Sequence, residues 1–222
     1  MREVVLDTET TGLNPSTGDR IVEIGCVELV NHVATGKSFH QYINPQRSMP
    51  NEALRVHGLS DEFLADQPVM ADVMADFIEF IGDAPLIIHN ADFDMGFINA
   101  ELKLLGQTQL QMSRAVDTVR LAREKFPGAP ASLDALCKRF GIDNSSRSLH
   151  GALLDSQLLA DVYLELIGGR QPDFELAADR VAAPVAARDA VRREPRPHAA
   201  SEEELAAHKT FVKKLKSPIW ST

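Results

Sequence analysis

Apolar and polar positions fall into blocks along the first two-thirds of the chain, and the period within each block predicts its element. Val4 to Asp7, Ile21 to Val30 and Ser38 to Ile43 are extended runs, the early ones rich in Val and Ile, divided by Gly12, Pro15, Gly18 and Gly36. Three such runs in succession predict an antiparallel meander. After Pro68 the apolar positions fall at Val69, Val73, Phe77 and Ile81, which lays one stripe along a helix ending at Gly82. Pro85 to Ile88 then reads as a short buried strand and Asp92 to Leu105 as a helix, with Asp92 as its cap. A brief strand at Ala115–Asp117 precedes helices at Thr118–Phe126 and Ser132–Phe140, the second capped by Ser132. A last helix spans Ala152–Ile167 and is closed by Gly168-Gly169. This order predicts an α/β fold, a mixed five-stranded sheet with helices on both faces, for a domain over residues 1–170.

The pattern then breaks. Residues 177–200 are Ala, Arg and Pro with almost no bulky apolar side chains, which predicts a flexible linker. Residues 201–222 form a C-terminal tail, in which Ser201-Glu202-Glu203-Glu204 is a capping box opening a helix to about Leu215. A helix of this length is marginal alone in water, so Leu205, Phe211, Val212 and Leu215 require a partner surface.

Composition narrows the class. A chain of 222 residues, 44% apolar and 25% charged, suits one globular domain with an appendage. No apolar run approaches the ~18 residues that span a bilayer, and Val4-Val5-Leu6 follows Met1-Arg2-Glu3 without a secretory stretch, so the expectation is a cytoplasmic protein with no membrane partner. Cys26 and Cys137 have no His or Cys neighbours at zinc spacing and read as small buried side chains. The formal charge of -9 runs against the usual basic footprint of a nucleic-acid enzyme, and the acid is concentrated in the globular part. Most of these carboxylates serve solubility; the sharper reading gathers a few around divalent cations.

Three segments carry that reading. Asp7 and Glu9 are two apart at the end of a buried strand and point to one side. Asp94 follows His89 and Asn90 into a helix, in line with Phe97 and Ile98, where an acid is costly unless paired or metal-bound. Asp155 aligns with Leu158, Leu159 and Val162 on the core row of the last helix. In a regular helix His150 would be turned roughly 140° from Asp155, so the two converge only if His150 precedes the helix, a break that Gly151 permits. Each segment alone has a bland structural reading, and His89 is more often a satisfied strand-end histidine than a ligand. Together they suit two divalent cations, Mg²⁺ or Mn²⁺, stabilising a phosphodiester displacement, with a neutral histidine taking a proton from the attacking water.

These residues resemble the DEDDh exonucleases, a family named for four acidic ligands and a histidine and having a ribonuclease-H-like fold. The matching runs are Asp7-Thr8-Glu9-Thr10-Thr11-Gly12, His89-Asn90-Ala91-Asp92-Phe93-Asp94, and His150 with Asp155. The resemblance implies that Asp7, Glu9, Asp94 and Asp155 hold two metal ions and that His150 activates the water. Val56-His57-Gly58-Leu59, Ser132-Leu133-Asp134-Ala135-Leu136-Cys137, Leu149–Asp155 and Ser201–Trp220 extend the likeness over the whole chain, which is similar to the epsilon subunits of bacterial DNA polymerase III. In that family the exonuclease domain removes misincorporated nucleotides from the single-stranded 3′ end of DNA as monophosphates. The resemblance further implies a pocket for the terminal nucleotide at Thr10, Leu13, Val56, His57 and Phe93. It also implies docking of the polymerase (alpha) subunit on the C-terminal tail, through Leu205, Phe211, Val212, Leu215, Ile219 and Trp220. The run over residues 171–176 is similar to peptides that bind the bacterial sliding clamp (beta), with Gln171, Asp173, Phe174 and Leu176 as the contacts. Two alternatives stand beside this reading: an RNA-trimming exonuclease of the same fold, and a structural tether between polymerase and clamp.

Overall fold

A computed structural model of the chain describes residues 1–145, 149–168 and 199–216. They belong to two units, Met1–Asp173 and Phe174–Thr222. In the first unit, β1 (Arg2–Thr10) pairs antiparallel with β2 (Ile21–Val30), and β2 pairs antiparallel with β3 (Val33–Tyr42). The strands β4 (Leu86–Ile88) and β5 (Ala115–Asp117) lie parallel on the other side of β1, giving the order β3-β2-β1-β4-β5. Between β3 and β4 come α1 (Asn51–His57), α2 (Asp61–Ala65) and α3 (Met70–Ile81); α4 (Ala91–Leu104) follows β4. After β5 come α5 (Thr118–Lys125), α6 (Leu133–Phe140) and α7 (Ala152–Leu166). The predicted mixed five-stranded sheet and its two-sided helical cover are therefore present.

The two faces have separate cores. On one, Val4, Leu6, Ile24 and Cys26 pack with Phe77 of α3 and with Phe97 and Ile98 of α4. On the other, Val5, Val27 and Leu29 pack with Leu136 and Cys137 of α6 and with Leu159 and Val162 of α7. Both cysteines are buried, as their isolation in the sequence predicts. Full burial of each such side chain is worth about 1.5–3 kcal/mol, which is what holds helices as short as α6 in place. Strand alternation then sends Asp7 and Glu9 toward α7, while Thr8 faces α4.

Several boundaries differ from the predicted ones, each for a physical reason. Strand β1 continues past Asp7 to Thr10 because β2 pairs with it that far, so Glu9 lies within the strand. Strand β3 starts before Ser38, at Val33; it is an edge strand exposed along most of its length, so no apolar alternation marks it. Helices α1 and α2 are too short to show a helical period. Their signals are local: Pro50 precedes α1, and the Ser60 hydroxyl accepts the Phe63 N–H at 3.3 Å to cap α2. Asp92 is not the cap of α4. That helix starts one residue earlier, Asn90 takes the cap position at φ 70°, and Asp92 is an exposed residue of the first turn.

In the second unit, α8 (Glu202–Val212) opens on the predicted capping box and ends before Leu215. Leu205, Phe211 and Leu215 are exposed and Val212 is half-buried. Gln171, Asp173, Phe174 and Leu176, the linker from 177 to 198, and Ile219 and Trp220 lie outside the described residues.

Gly25 is the position on which the packing of α7 is most demanding. A Cβ built there would come within 2.2 Å of the Ala152 carbonyl carbon and of the Leu153 nitrogen, both backbone atoms that cannot turn aside. The Ser156 hydroxyl donates to the Gly25 carbonyl at 2.8 Å across the same contact. Gly25→Ala is expected to destabilise the fold by at least the about 1–3 kcal/mol typical of overpacking, read as a lower urea midpoint at unchanged slope. A midpoint equal to that of the wild type would show that α7 can move off the strand without cost.

Candidate active site

The carboxylates converge at the C-terminal end of β1. Asp7 and Glu9 come from the strand, Asp94 from the first turn of α4, and Asp155 from the first turn of α7. They line one cleft of about 330 Å³ together with Thr8, His89, Phe93, Ser132, Leu133, Asp134 and His150. Glu9, Asp94 and Asp155 are each almost wholly buried, at 8%, 2% and 3% exposure. Three acids at that depth are unfavourable without compensation, because burial penalises the charged form.

Part of the compensation is visible. Thr8 Oγ1 donates to Asp94 Oδ1 at 2.7 Å, joining the strand to α4 from the face opposite Asp7 and Glu9. Even so, burial pushes the Asp94 carboxyl up to about 7, the Thr8 bond and backbone donors offsetting it only in part and Asp117 adding to the rise. His150 stands before α7, as its spacing from Asp155 requires: Gly151 is extended at φ -154° and Ala152 is the first helical residue. The imidazole is half-exposed, and its Nδ1 lies 3.3 Å from Asp155 Oδ2.

The donor set fits a hard divalent cation. Among the described residues one atom each from Glu9, His150 and Asp155 lies within 4.8 Å of the others, a grouping able to hold an ion. Oxygen donors with no cysteine favour Mg²⁺ or Mn²⁺ over zinc. That tightest grouping contains His150, whereas Asp7 and Asp94 reach the same cleft from its other walls.

The residues expected to hold a terminal nucleotide are spread around this centre. Phe93 lines the cleft. Thr10 is buried and donates to the Gly12 carbonyl at 2.6 Å, shaping the turn after β1. Leu13, on that turn, is 84% exposed, and Val56 is 45% exposed, so neither is a core residue. His57 is buried; burial holds its imidazole below the usual range, with the Thr10 carbonyl opposing and nearby His150 adding to the fall. The Val56 carbonyl accepts the His150 N–H at 3.1 Å. His89 is a satisfied side chain that also reaches the cleft, its Nδ1 2.9 Å from Thr118 Oγ1.

The turn bearing Leu13 is firmly tied. Arg20 makes two bonds to the buried Glu101 of α4, at 2.6 and 2.7 Å, and the Asp19 carboxylate lies where a Cβ on Gly12 would stand. Thr8 and Gly25 are site-forming residues that residue patterns alone did not single out, and the Ser132–Asp134 run, marked by its helix cap and its family likeness, also forms a wall of the cleft. Thr8 sits between the two acids of its motif, which was the available signal; Gly25 has none outside the tertiary contact.

The family model described as Exonuclease (RNase_T) matches residues 4–163. A protein of Rickettsia felis named DNA polymerase III subunit epsilon is 50% identical over 222 residues, covering 97% of this chain and 97% of the relative. The protein of that name from Salmonella typhimurium is 46% identical over 235 residues, covering 99% and 97%. Among solved structures, the nuclease domain of 3′hExo, a DEDDh family member bound to rAMP, superposes with a TM-score of 0.64 at 18% identity over 75% of this chain and 91% of that one, a likeness of fold.

The raised Asp94 pKa has a definite sign. Its folded value lies above the ordinary 3.8, so its ionisation destabilises the metal-free fold as pH rises from about 4 to about 7, by on the order of 4 kcal/mol once complete. In metal-free buffer Asp94→Asn should match the wild-type Tm near pH 4 and exceed it increasingly toward pH 7. With Mn²⁺ added the wild type should recover the difference through binding. Thermal melts across that range check both; a gain independent of pH would place the carboxyl elsewhere on the scale.

Proposed function

We propose that this chain, which belongs to the exonuclease family and within it to the DNA polymerase III epsilon subunits, is the proofreading 3′→5′ exonuclease of a bacterial replicative polymerase. It removes mispaired 3′-terminal nucleotides of DNA as deoxynucleoside monophosphates. The observation that carries the reading is the meeting of Asp7, Glu9, Asp94, Asp155 and His150 in one cleft from three separate segments.

Asp7, Glu9, Asp94 and Asp155 are the residues that would hold two divalent cations, Mg²⁺ or Mn²⁺. When bound, such ions supply charge stabilisation of the attacking and leaving oxygens and an acidified water. With Nδ1 of His150 donating toward Asp155, its Nε2 carries the lone pair that takes the proton as the water oxygen bonds to phosphorus. The bond from phosphorus to the 3′-oxygen of the penultimate nucleotide breaks, and solvent protonates that oxygen. Half-exposure of His150 lets it pass the proton to water before the next cycle. Phe93, which lines the cleft, together with Val56, His57, Thr10 and Leu13, is proposed to contact the terminal base and sugar.

The tail is the proposed docking element for the polymerase alpha subunit, since α8 presents Leu205 and Phe211 to solvent and Leu215 is exposed just beyond it. Residues 171–176 are proposed to bind the sliding clamp. The RNA-trimming alternative is disfavoured by similarity to epsilon subunits that runs through the tail, and the tether alternative by a site with every catalytic position filled.

On a 3′-mismatched primer with Mg²⁺ or Mn²⁺, release of monophosphates should fall by at least ~10²-fold in Asp7→Ala and in His150→Ala while both remain folded. Hydrolysis of short RNA with no action on the primer would replace this reading by the RNA-trimming one. A separate expectation concerns the tail: Leu205→Asp with Phe211→Asp in the full chain should abolish co-elution with the alpha subunit and leave digestion of free single-stranded DNA intact. Undiminished co-elution would remove α8 from the interface.

A further inference from the structure

His150 has to be held in place although it lies outside any helix or strand. It is half-exposed and its successor, Gly151, caps α7 without a side-chain bond. Two contacts reach this segment from α1. The Val56 carbonyl, in the last turn of α1, accepts the His150 N–H at 3.1 Å. The Leu149 side chain fills the space beside the next turn: a Cβ on Gly58 would stand 2.7 Å from Leu149 Cδ1. Gly58 is the left-handed C-cap of α1, at φ 76°, and its N–H closes onto the Leu54 carbonyl. Glycine suits that backbone conformation, and a larger residue would in addition push on the end of the half-exposed Leu149 side chain.

We propose that α1 with its Gly58 cap is a brace that positions His150, making Gly58 and Leu149 positioning residues for the proton transfer. The inference rests on the role of His150 as the proton acceptor proposed above. Its chemical content is that one short element serves both ends of the reaction. Val56 and His57, on its last turn, are the residues proposed above to meet the terminal nucleotide, and the same turn holds the His150 segment through one backbone bond and one apolar contact. Placement of the base is then set by an element that also meets the substrate. Misplacement by about 1 Å is enough to lower a rate by up to about 10²-fold.

The test uses the full chain, short single-stranded DNA and Mn²⁺, with kcat and KM measured for Gly58→Ala, Leu149→Ala, the two together, and each in a His150→Ala background. Gly58→Ala should lower kcat by up to about 100-fold, through strain at the φ 76° position together with displacement of the Leu149 side chain. Adding Leu149→Ala should recover the part of that loss due to the Leu149 contact, leaving the part due to strain at φ 76°, whereas a general loss of fold would recover none. Neither substitution should lower kcat further once His150 is alanine, since effects passing through one group are not additive. Should Gly58→Ala fail to fold, Leu149→Ala supplies the same comparison by removing the contact without touching the backbone. Additive losses in the His150→Ala background, or no rescue in the double variant, would overturn the brace alone. Wild-type kcat in His150→Ala would overturn the proton-acceptor reading and the brace with it.

Discussion

Everything chemical in this molecule depends on how closely the first turn of α7 approaches β2. Gly25 sits opposite Asp7 in the strand register, and the absence of its side chain lets the backbone of Ala152 and Leu153 lie against the sheet. Asp155 is in that same first turn. A methyl group at residue 25 would lift the turn and carry Asp155 away from Glu9. The hydrogen bond from Ser156 to the Gly25 carbonyl then locks the approach that the missing side chain permits. From this contact follow the short distance between Glu9 and Asp155, the place of His150 just ahead of the helix, and the shape of the cleft.

Close approach brings an electrostatic cost, and the fold distributes it. The apolar cores above and below the sheet supply the stability against which three buried carboxylates are set. Thr8 supports Asp94 from the opposite face of β1, so alternate residues of a single strand serve the carboxylate cluster directly and indirectly. Asp94 nonetheless keeps a proton until about neutral pH. The site is thus built for positive charge rather than for its own stability, which is the general condition of residues retained for function. Arg20 and Glu101 show the contrasting solution, a buried acid fully answered by a bidentate partner, and they hold the Leu13 turn rather than the cleft.

How much of this was legible in the sequence differs from element to element. The meander, the α3 stripe and the run through α7 could be read because each buries one regular face, and periodicity records burial. Asp7, Glu9, Asp94, Asp155 and His150 were legible jointly, because each interrupts or ends such a run with a group that is costly there, and helix geometry set the condition that His150 meets Asp155 only if the helix breaks at Gly151. Strand β3 was shortened because an exposed edge leaves no alternation. Helices α1 and α2 left no period because they are shorter than two full turns. Gly25 and Gly58 were invisible for another reason: what each accommodates, α7 in one case and Leu149 in the other, comes from a distant part of the chain. Asp92 was misassigned because Asn90, at positive φ, took the cap position that an aspartate also favours.

The charge of the chain is resolved by separating chemistry from capture. A net charge of -9 disfavours the counterion-release binding by which most nucleic-acid enzymes hold DNA. An exonuclease that proofreads has little need of such binding, because strong affinity for any DNA would hold it on correctly paired ends as well. Tethering offers another route. With the tail docked on the polymerase as proposed, the cleft would meet a primer end at an effective concentration of about millimolar, without any new contact to DNA. On that arithmetic the proposed docking makes weak intrinsic affinity workable, and selectivity would then rest on which ends separate into single strands and reach the cleft. The exposed apolar residues of α8 and the acidic surface of the globular unit then answer the same requirement from opposite ends of the chain.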